Sequence, residues 1–255
     1  MSMADSFEKI PVRIYSSLKE GSVFIAHEIA KAIRQKQAEG KPCVLGLATG
    51  SSPKAVYAEL VRLHREEGLS FSNVISFNLD EYYPIDKDAL QSYNRYMREQ
   101  LFNHVDIKPE NIHIPSGEWP KDDIKKYTAE YDQKIKEAGG VEIQVLGIGS
   151  NGHIGFNEPG SSRFSRTRLV NLENSTRVAN AYEFSNITQV PRLAVTMGID
   201  TIMNARKIFL MGWGAVKASV IQKAVEENVT EQIPASLLQQ HNDTVFVLDE
   251  FAAAE

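Results

Sequence analysis

The chain has 255 residues, of which 42% are hydrophobic and 24% are charged. This length and composition predict one α/β domain with a large buried core. Its 33 Asp and Glu residues outnumber its 28 Lys and Arg residues, which leaves a net charge of -5. Because a polyanion is held by excess positive charge, we expect no nucleic-acid partner.

Three further features predict a cytoplasmic protein without a membrane span. Cys43 is the single cysteine, which excludes an internal disulfide framework and a cysteine-rich zinc site. Residues 1–10 lack the apolar centre of a secretion signal. No apolar run approaches the roughly 18 residues that cross a bilayer.

Extended apolar runs alternate with amphipathic segments along the chain, which predicts a parallel sheet covered by helices. The predicted strands cover residues 11–17, 43–47, 74–79, 141–148, 207–211 and 244–248. The predicted helices cover residues 23–37, 90–104 and 121–137, a segment with the apolar stripe Val56, Leu60 and Leu63, and a segment with the stripe Val216, Val220, Ala224 and Val225. We expect one domain over residues 1–255. A polar stretch at about 160–186 is a candidate lid or surface excursion. Residues 251–255 look like the start of a helix, which is compatible with a longer polypeptide.

Two of the predicted strand-to-helix turns have the composition of an anion site. Thr49, Gly50, Ser51 and Ser52 place small residues and free backbone N–H groups at a helix N-terminus, where phosphate is stabilised. The alternative is that Ser52 only caps the helix, with Pro53 at its first position. In the other turn, Gly212 and Gly214 precede Lys217, which either reaches the same phosphate or is an ordinary solvated lysine.

Ionisable side chains follow two other predicted strands. Asp80 and Glu81 come directly after one strand, which makes Asp80 a candidate general base, although loop solvation or helix capping also explains adjacent acids. After a later strand, a glycine-rich segment delivers His153 and Glu158. A histidine with a carboxylate to orient it can move a proton to or from a sugar hydroxyl. A metal site is disfavoured, because His153 and Glu158 lack ligand spacing.

These residues lie in segments that resemble the glucosamine-6-phosphate deaminase (isomerase) family over nearly the whole chain. The segments are LGLATGSSP at 45–53, SFNLDEYY at 76–83, HVDIKPENIHIP at 104–115, LGIGSNGHIGFNEPGSS at 146–162, SRTR at 165–168 and VPRLAVTMGI at 190–199. The resemblance implies a three-layer α/β/α sandwich with a Rossmann-like, mostly parallel sheet, and catalysis without a metal or organic cofactor. It also implies conversion of glucosamine 6-phosphate and water to fructose 6-phosphate and ammonia in amino-sugar catabolism.

The resemblance also implies roles for individual residues. Asp80 would move a proton between C2 and C1 of the opened sugar through an enolamine. His153 would catalyse ring opening, with Glu158 to orient or charge it. The turn from Thr49 to Ser52 and Lys217 would hold the substrate phosphate, so that groups remote from the reacting carbons set the substrate's position.

The chain departs from the family pattern at three positions. Asn151 stands where many members have an aspartate in the catalytic set, and other members share the asparagine. Tyr182 replaces a phosphate-binding arginine, for which Arg163, Arg166, Arg168 or Arg177 would have to compensate if they are not simply structural. Allosteric members use an arginine, matched by Arg168, and a lysine whose position holds Val170, so we expect no allosteric activation.

Two alternatives compete with the deaminase. The first is a 6-phosphogluconolactonase-like hydrolase, a relative that typically carries a Gly-Asp-Glu-Arg motif and an Asp-Gly-His-Thr motif. The segments around Asp80 and His153 favour the deaminase over it. The second is a non-catalytic sugar-phosphate-binding domain of a longer protein, which Asn151 and Tyr182 leave open. The sequence does not decide between a monomer and a homo-oligomer.

Overall fold

The computed structural model describes residues 7–254 and consists of two sheets with helices on the faces of the larger one. Residues 1–6 and 255 lie outside the described residues. The expectation that residues 1–10 are not a secretion signal therefore falls partly outside them. The strands are β1 (Val12–Tyr15), β2 (Cys43–Leu47), β3 (Val74–Asn78), β4 (Asp80–Tyr83), β5 (Ile112–His113), β6 (Ile143–Gly147), β7 (Arg168–Asn171), β8 (Leu193–Thr196), β9 (Lys207–Gly212) and β10 (Thr244–Asp249). The helices are α1 (Leu18–Ala38), α2 (Lys54–Glu67), α3 (Tyr93–Gln100), α4 (Ile124–Glu137), α5 (Asn174–Asn180), α6 (Ile199–Met203) and α7 (Ala218–Glu226).

The larger sheet has seven strands in the order β1-β10-β9-β6-β2-β3-β5, and every pair in it is parallel. Successive residues of its strands enter different hydrophobic clusters, because side chains alternate between the two faces. Val145 packs with α1 and α2 on one face, whereas Leu146 packs with α4 and α7 on the other. The predicted three-layer α/β/α fold with a parallel sheet is therefore confirmed.

The smaller sheet was not predicted from the sequence. It is antiparallel, in the order β4-β8-β7, and Asp80 pairs with Thr196 in its register. The expectation that Asp80 and Glu81 lie where a strand gives way to a loop was therefore wrong. Only Leu79 separates β3 from β4, and its N–H and C=O groups bond to Leu47 and Met197. The base candidate thus stands at the junction of the two sheets.

Several element boundaries differ from the sequence prediction. The first helix begins at Leu18 rather than Val23, because the Ser17 side chain caps it by accepting the Glu20 N–H. The helix predicted over 90–104 shortens to α3, which Ser92 caps, and a separate 3₁₀ turn at Phe102–His104. Residues 251–253 form a turn rather than the start of a helix.

Two predictions about helix starts near the candidate site were also wrong. Pro53, not Ser52, is the N-cap of α2, and no side chain caps this helix. Val216 does not belong to a buried stripe, since it is 84% exposed in the 3₁₀ turn Ala215–Lys217 that precedes α7.

The polar stretch 160–186 contains β7 and α5, so part of it is integral to the smaller sheet. Its motion as a lid remains a prediction.

Candidate active site

Four chain turns meet in one cavity at the carboxyl edge of the parallel sheet, where such folds bind ligands. The cavity has a volume of about 190 Å³. Of the predicted site residues it is lined by Thr49, Gly50, Ser51, Ser52, Asp80, His153 and Lys217. The side chains of Asn151 and Glu158 contact His153 rather than line the cavity. The structure thus brings all the predicted site residues together.

Asp80 is the first residue of β4 and is only 6% exposed. Burial, with the nearby Glu81 carboxylate as a lesser cause, raises the pKa of Asp80 to about 8. A methyl group added at Gly155 would lie 3.4 Å from Asp80 Oδ2 and 3.0 Å from Thr196 Oγ1, so glycine keeps this space narrow but open. The arrangement makes Asp80 a more basic carboxylate than an exposed aspartate.

Glu81 points away from the cavity and has a structural role. Its carboxylate accepts the backbone N–H groups of Tyr82, Tyr93 and Asn94, each at 2.9 Å. Two of these donors belong to the first turn of α3, whose N–H groups have no partner within the helix. Burial raises the pKa of Glu81 to about 7, and the three donors act in the opposite direction. Helix capping, which was the alternative considered for this pair, therefore applies to Glu81 alone.

The His153 ring is fixed by two side chains. Its Nδ1 lies 2.7 Å from Asn151 Oδ1 and 3.4 Å from Glu158 Oε2. Asn151 Nδ2 donates to Glu158 Oε2 at 2.9 Å, which assigns its other atom, the carbonyl oxygen, to the ring. Because that oxygen can only accept, Nδ1 carries the proton and Nε2 is left as the basic nitrogen. Asn151 therefore selects the tautomer that a proton acceptor in the cavity requires.

Glu158 supplies the negative charge behind His153. It is 7% exposed, and its Oε1 accepts the Glu173 N–H at 3.2 Å. Burial alone would raise the pKa of Glu158, but hydrogen bonding and charge attraction from the His153 ring outweigh it and lower the pKa to about 2. The carboxylate is consequently ionised at neutral pH. It can stabilise positive charge on the imidazole when the ring takes up a proton.

Gly149 allows the ring to lie against the end of β6. A methyl group built at Gly149 would be 2.2 Å from the Cε1 and Nδ1 atoms of His153, which no side chain can tolerate. The Gly149 N–H also donates to the His153 carbonyl at 2.9 Å. The glycine-rich sequence at this turn therefore has a steric cause, which is the close approach of an imidazole to backbone.

The turn from Thr49 to Ser52 is held by aromatic side chains from three elements. Tyr57 donates to the Ala48 carbonyl, Tyr96 donates to the Gly50 carbonyl at 2.6 Å, and Trp213 donates to the Ser52 carbonyl at 3.2 Å. These bonds occupy carbonyl groups and direct them away from the cavity. The N–H groups of Gly50, Ser51 and Ser52 make no hydrogen bond to residues 7–254 and stand at the N-terminus of α2. Such free donors can hold an anion.

Lys217 comes from the turn after β9 and lines the same cavity. Burial lowers the pKa of Lys217, because a desolvated ammonium group is less stable than a hydrated one. Gly214 precedes it with a φ of 81° and donates its N–H to both oxygens of Asp249, at 3.0 and 3.1 Å. The backbone of this turn is thereby fixed, and Lys217 is carried to the edge of the cavity that the Thr49–Ser52 turn also forms.

Tyr182 and Glu183 complete the wall of the cavity, and sequence reasoning missed Glu183. Both belong to the 3₁₀ turn Ala181–Glu183. The Tyr182 hydroxyl donates to Glu183 Oε1 at 3.0 Å. No pattern of apolar residues or glycines distinguishes this turn from the polar residues around it. Only the folded chain shows that it reaches the site.

The arginines considered as substitutes at the position of Tyr182 lie outside the cavity. Arg163 stacks on Phe164, and Arg166 forms ion pairs with two aspartates. Arg168 donates to the Asn157 side chain at 2.8 Å, and Arg177 donates to two backbone carbonyls. Each therefore has a structural partner. Of the groups predicted to hold phosphate, the Thr49–Ser52 turn and Lys217 line the cavity.

Residues 7–254 contain no helix long and apolar enough to cross a membrane. In this part of the chain, no group of three or more His, Cys, Asp or Glu side chains is arranged to hold a metal ion.

Comparison of sequences identifies relatives that are named glucosamine-6-phosphate deaminases or deaminase-like proteins. The chain is 47% identical over 248 residues to a glucosamine-6-phosphate deaminase-like protein of Bacteroides thetaiotaomicron; the match covers 97% of this chain but only 37% of that relative. It is 49% identical over 209 residues to the glucosamine-6-phosphate deaminase of Oceanobacillus iheyensis, with 82% of this chain and 83% of that protein covered.

Structural comparison leads to the same family. The solved structure of a monomeric glucosamine-6-phosphate deaminase superposes with a TM-score of 0.91 at 42% identity, covering 96% of this chain and 99% of that one. Solved 6-phosphogluconolactonases share the fold at only 20 to 22% identity. The family model of glucosamine-6-phosphate isomerases and 6-phosphogluconolactonases matches residues 18–247. The chain therefore belongs to this enzyme family, and within it resembles the deaminases most.

Proposed function

We propose that the protein converts glucosamine 6-phosphate and water to fructose 6-phosphate and ammonia, by an aldose–ketose isomerisation coupled to deamination. One observation carries the proposal. A buried carboxylate, Asp80, and a histidine of fixed tautomer, His153, line a cavity that also contains an anion-binding turn and Lys217. A phosphorylated sugar matches both sets of groups. Its phosphate is an anion for the turn and Lys217, and its carbonyl end exchanges protons with Asp80 and His153.

In the first step, His153 Nε2 moves a proton between the anomeric hydroxyl and the ring oxygen as the ring opens. The Asn151 carbonyl holds the opposite ring nitrogen in the protonated state, and the Glu158 carboxylate stabilises the imidazolium that forms when Nε2 is protonated. The ring-opened sugar then has a free aldehyde at C1 and an amine at C2.

In the second step, Asp80 takes the proton from C2 and returns it to C1 through an enolamine. Removal of a proton from carbon needs a strong base, and burial makes Asp80 a stronger base than an exposed carboxylate. During the shift the C1 oxygen gains a proton and the C2 nitrogen loses one, so the product has a hydroxyl group at C1 and an imine at C2. Water adds to that carbon and ammonia leaves, which gives the ketone of fructose 6-phosphate.

The phosphate end of the cavity fixes the position of the reacting carbons. The free N–H groups of the Thr49–Ser52 turn and the Lys217 ammonium group would hold the phosphate, several bonds from C1 and C2. We infer that the substrate is a small sugar phosphate acted on in the cytoplasm, without nucleic acid. The number of subunits stays open.

The test is a coupled assay of ammonia and fructose 6-phosphate formed from glucosamine 6-phosphate. It is run beside hydrolysis of 6-phosphogluconolactone and beside the Asp80→Asn variant. Equal amounts of both products, lost in the variant, support the deaminase. Lactone hydrolysis without ammonia would instead support the lactonase, and sugar-phosphate binding without either activity would support a binding domain.

A further inference from the structure

We propose that Glu183 makes substrate binding proton-linked: the phosphate enters the cavity together with one additional proton, which is held between a phosphate oxygen and the Glu183 carboxylate. Glu183 is thereby a specificity-determining residue that disfavours a fully ionised phosphate. This inference rests on the proposed function only in taking the ligand to be a sugar phosphate.

The position of Glu183 is the first argument. It lines the cavity and is half-buried, and the Tyr182 hydroxyl donates to its Oε1 at 3.0 Å. Burial and, after it, the negative charge of Glu183 raise the pKa of Tyr96. The Tyr96 hydroxyl donates to the Gly50 carbonyl of the anion-binding turn at 2.6 Å. The positive charge of Lys54, the first residue of α2, attracts the Glu183 carboxylate. The carboxylate therefore lines the same cavity as the Thr49–Ser52 turn, whose free N–H groups can hold an anion.

The charges that face Glu183 are the second argument. The Lys54 charge from α2 attracts the Glu183 carboxylate and Lys217 lines the same cavity, but Glu183 forms no ion pair with any residue in 7–254. The other groups near it are neutral tyrosines, Tyr82 from β4 and two from α3, and its own neighbour Tyr182. Asp80 and His153 lie along the same cavity. An entering phosphate consequently meets a carboxylate that has no ion-pair partner among residues 7–254.

Electrostatics gives the direction of the effect. Burial raises the pKa of Glu183, because the charged form loses hydration. The second pKa of a phosphate monoester is about 6. When two acids share a confined site, the negative charge on one favours protonation of the other, so the complex keeps a proton that the separated partners lose above about pH 6. Substrate affinity must then fall as the pH rises.

The experiment compares KM for glucosamine 6-phosphate between about pH 6 and 8.5 in the wild type, in Glu183→Gln and in Glu99→Gln. Glu99 is a matched control, because it pairs with Arg95 on the surface of α3 and does not line the cavity. We expect KM of the wild type and of the control to rise with pH relative to KM of Glu183→Gln. The limit for one coupled proton is about tenfold per pH unit. Parallel KM profiles in all three proteins would overturn the inference, and so would a higher KM for Glu183→Gln at every pH.

A second measurement separates this inference from the proposed function. Calorimetric titration with inorganic phosphate at about pH 8.5, where the free phosphate is a dianion, in buffers of different ionisation enthalpy, counts the protons taken up on binding. We expect uptake of close to one proton by the wild type and close to none by Glu183→Gln. Proton-coupled phosphate binding without ammonia formation would refute the deaminase and leave the inference standing. Ammonia formation with no proton uptake, or no phosphate binding at any pH, would refute the inference alone.

Discussion

Asp80 and Glu81 are neighbours in β4, but their carboxylates serve opposite sides of the strand. Asp80 lines the cavity, whereas Glu81 accepts three backbone N–H groups and caps α3. The alternation of side chains along a strand separates the two charges that the sequence places side by side. Replacing Asp80 should therefore remove the proton acceptor, whereas replacing Glu81 should destabilise the first turn of α3.

Asp80→Asn should abolish ammonia release, because an amide cannot accept a proton from carbon. General bases contribute about 10²- to 10⁴-fold in rate, so we expect kcat to fall by at least about 100-fold while KM changes little. In the wild type, kcat should rise with pH towards about 8, where Asp80 becomes ionised. A steady-state pH profile measures both effects. A variant that keeps more than about a tenth of the wild-type kcat would contradict the assigned role.

The same substitution should stabilise the folded protein at alkaline pH. The folded-state pKa of Asp80 is raised to about 8, so the folded state holds a proton that the unfolded state loses near pH 4, and wild-type stability falls between these values. A neutral amide at this position does not titrate, so the variant has no such loss. We expect the free energy of unfolding of Asp80→Asn in urea to exceed that of the wild type by about 1 kcal/mol or more at pH 8, and to equal it near pH 4. A less stable variant at pH 8 would disprove the argument.

Glu158→Gln should have the opposite dependence on pH. The folded-state pKa of Glu158 is lowered to about 2, so its ionised form stabilises the fold above about pH 4.5 and this contribution is lost as the pH falls towards 2. We expect the variant to lose about 1–2 kcal/mol of unfolding free energy at pH 6 and about a quarter of that at about pH 2.5. Urea denaturation at the two pH values provides the measurement. An equal loss at both would mean that packing, rather than charge, is responsible.

Gly149→Ala should displace the His153 ring, because the added methyl group would lie 2.2 Å from ring atoms. The ring is anchored by Asn151 and Glu158, so it can move only by breaking those contacts. A displacement of about 1 Å can cost about 100-fold in rate, and we expect a fall in kcat of that order. Inorganic phosphate binding, measured by calorimetry, should be unchanged. The control is Gly40→Ala, an exposed position where nothing lies within 4 Å of a methyl group but where a φ of 68° strains any side chain, so it reports the cost of an alanine away from the site.

Tyr182→Arg should strengthen phosphate binding, because it places a guanidinium group on the cavity wall beside Glu183. A hydrogen bond to a charged group contributes about 1.5–3 kcal/mol, so KM should fall by about tenfold or more, with kcat nearly constant. Phe164→Arg is the matched control, because Phe164 is 73% exposed and does not line the cavity. If both variants lower KM equally, the gain reflects general charge rather than a local contact.

Much of the larger sheet could be predicted from the sequence, because its strands are short apolar runs bounded by turn residues. The bounds of β2 agree with the prediction at both ends, and β9 and β10 differ by one residue each. The smaller sheet could not be predicted, since its four-residue strands pair residues far apart in the chain. Pairing of this kind is decided by tertiary packing, which leaves no local period to detect.

The candidate site, like the fold, could be predicted only in part. Residues that follow buried strands, such as Asp80 and His153, could be assigned because carboxyl ends of parallel strands converge. The contact between Asn151 and Glu158 needed coordinates, because it depends on how the glycine-rich turn bends. Glu183 was missed altogether, since a 3₁₀ turn within a polar segment has no signature in composition.

The aromatic donors that hold the Thr49–Ser52 turn bear on how fast a ligand binds. Because Tyr57, Tyr96 and Trp213 already fix the carbonyl groups, the turn has little conformational freedom left to lose when an anion arrives. The receptor is preorganised, and the association rate constant should be set by diffusion and electrostatic attraction rather than by rearrangement of this backbone. Loosening the turn, as in Tyr96→Phe, should accordingly lower the association rate constant as well as weaken the complex.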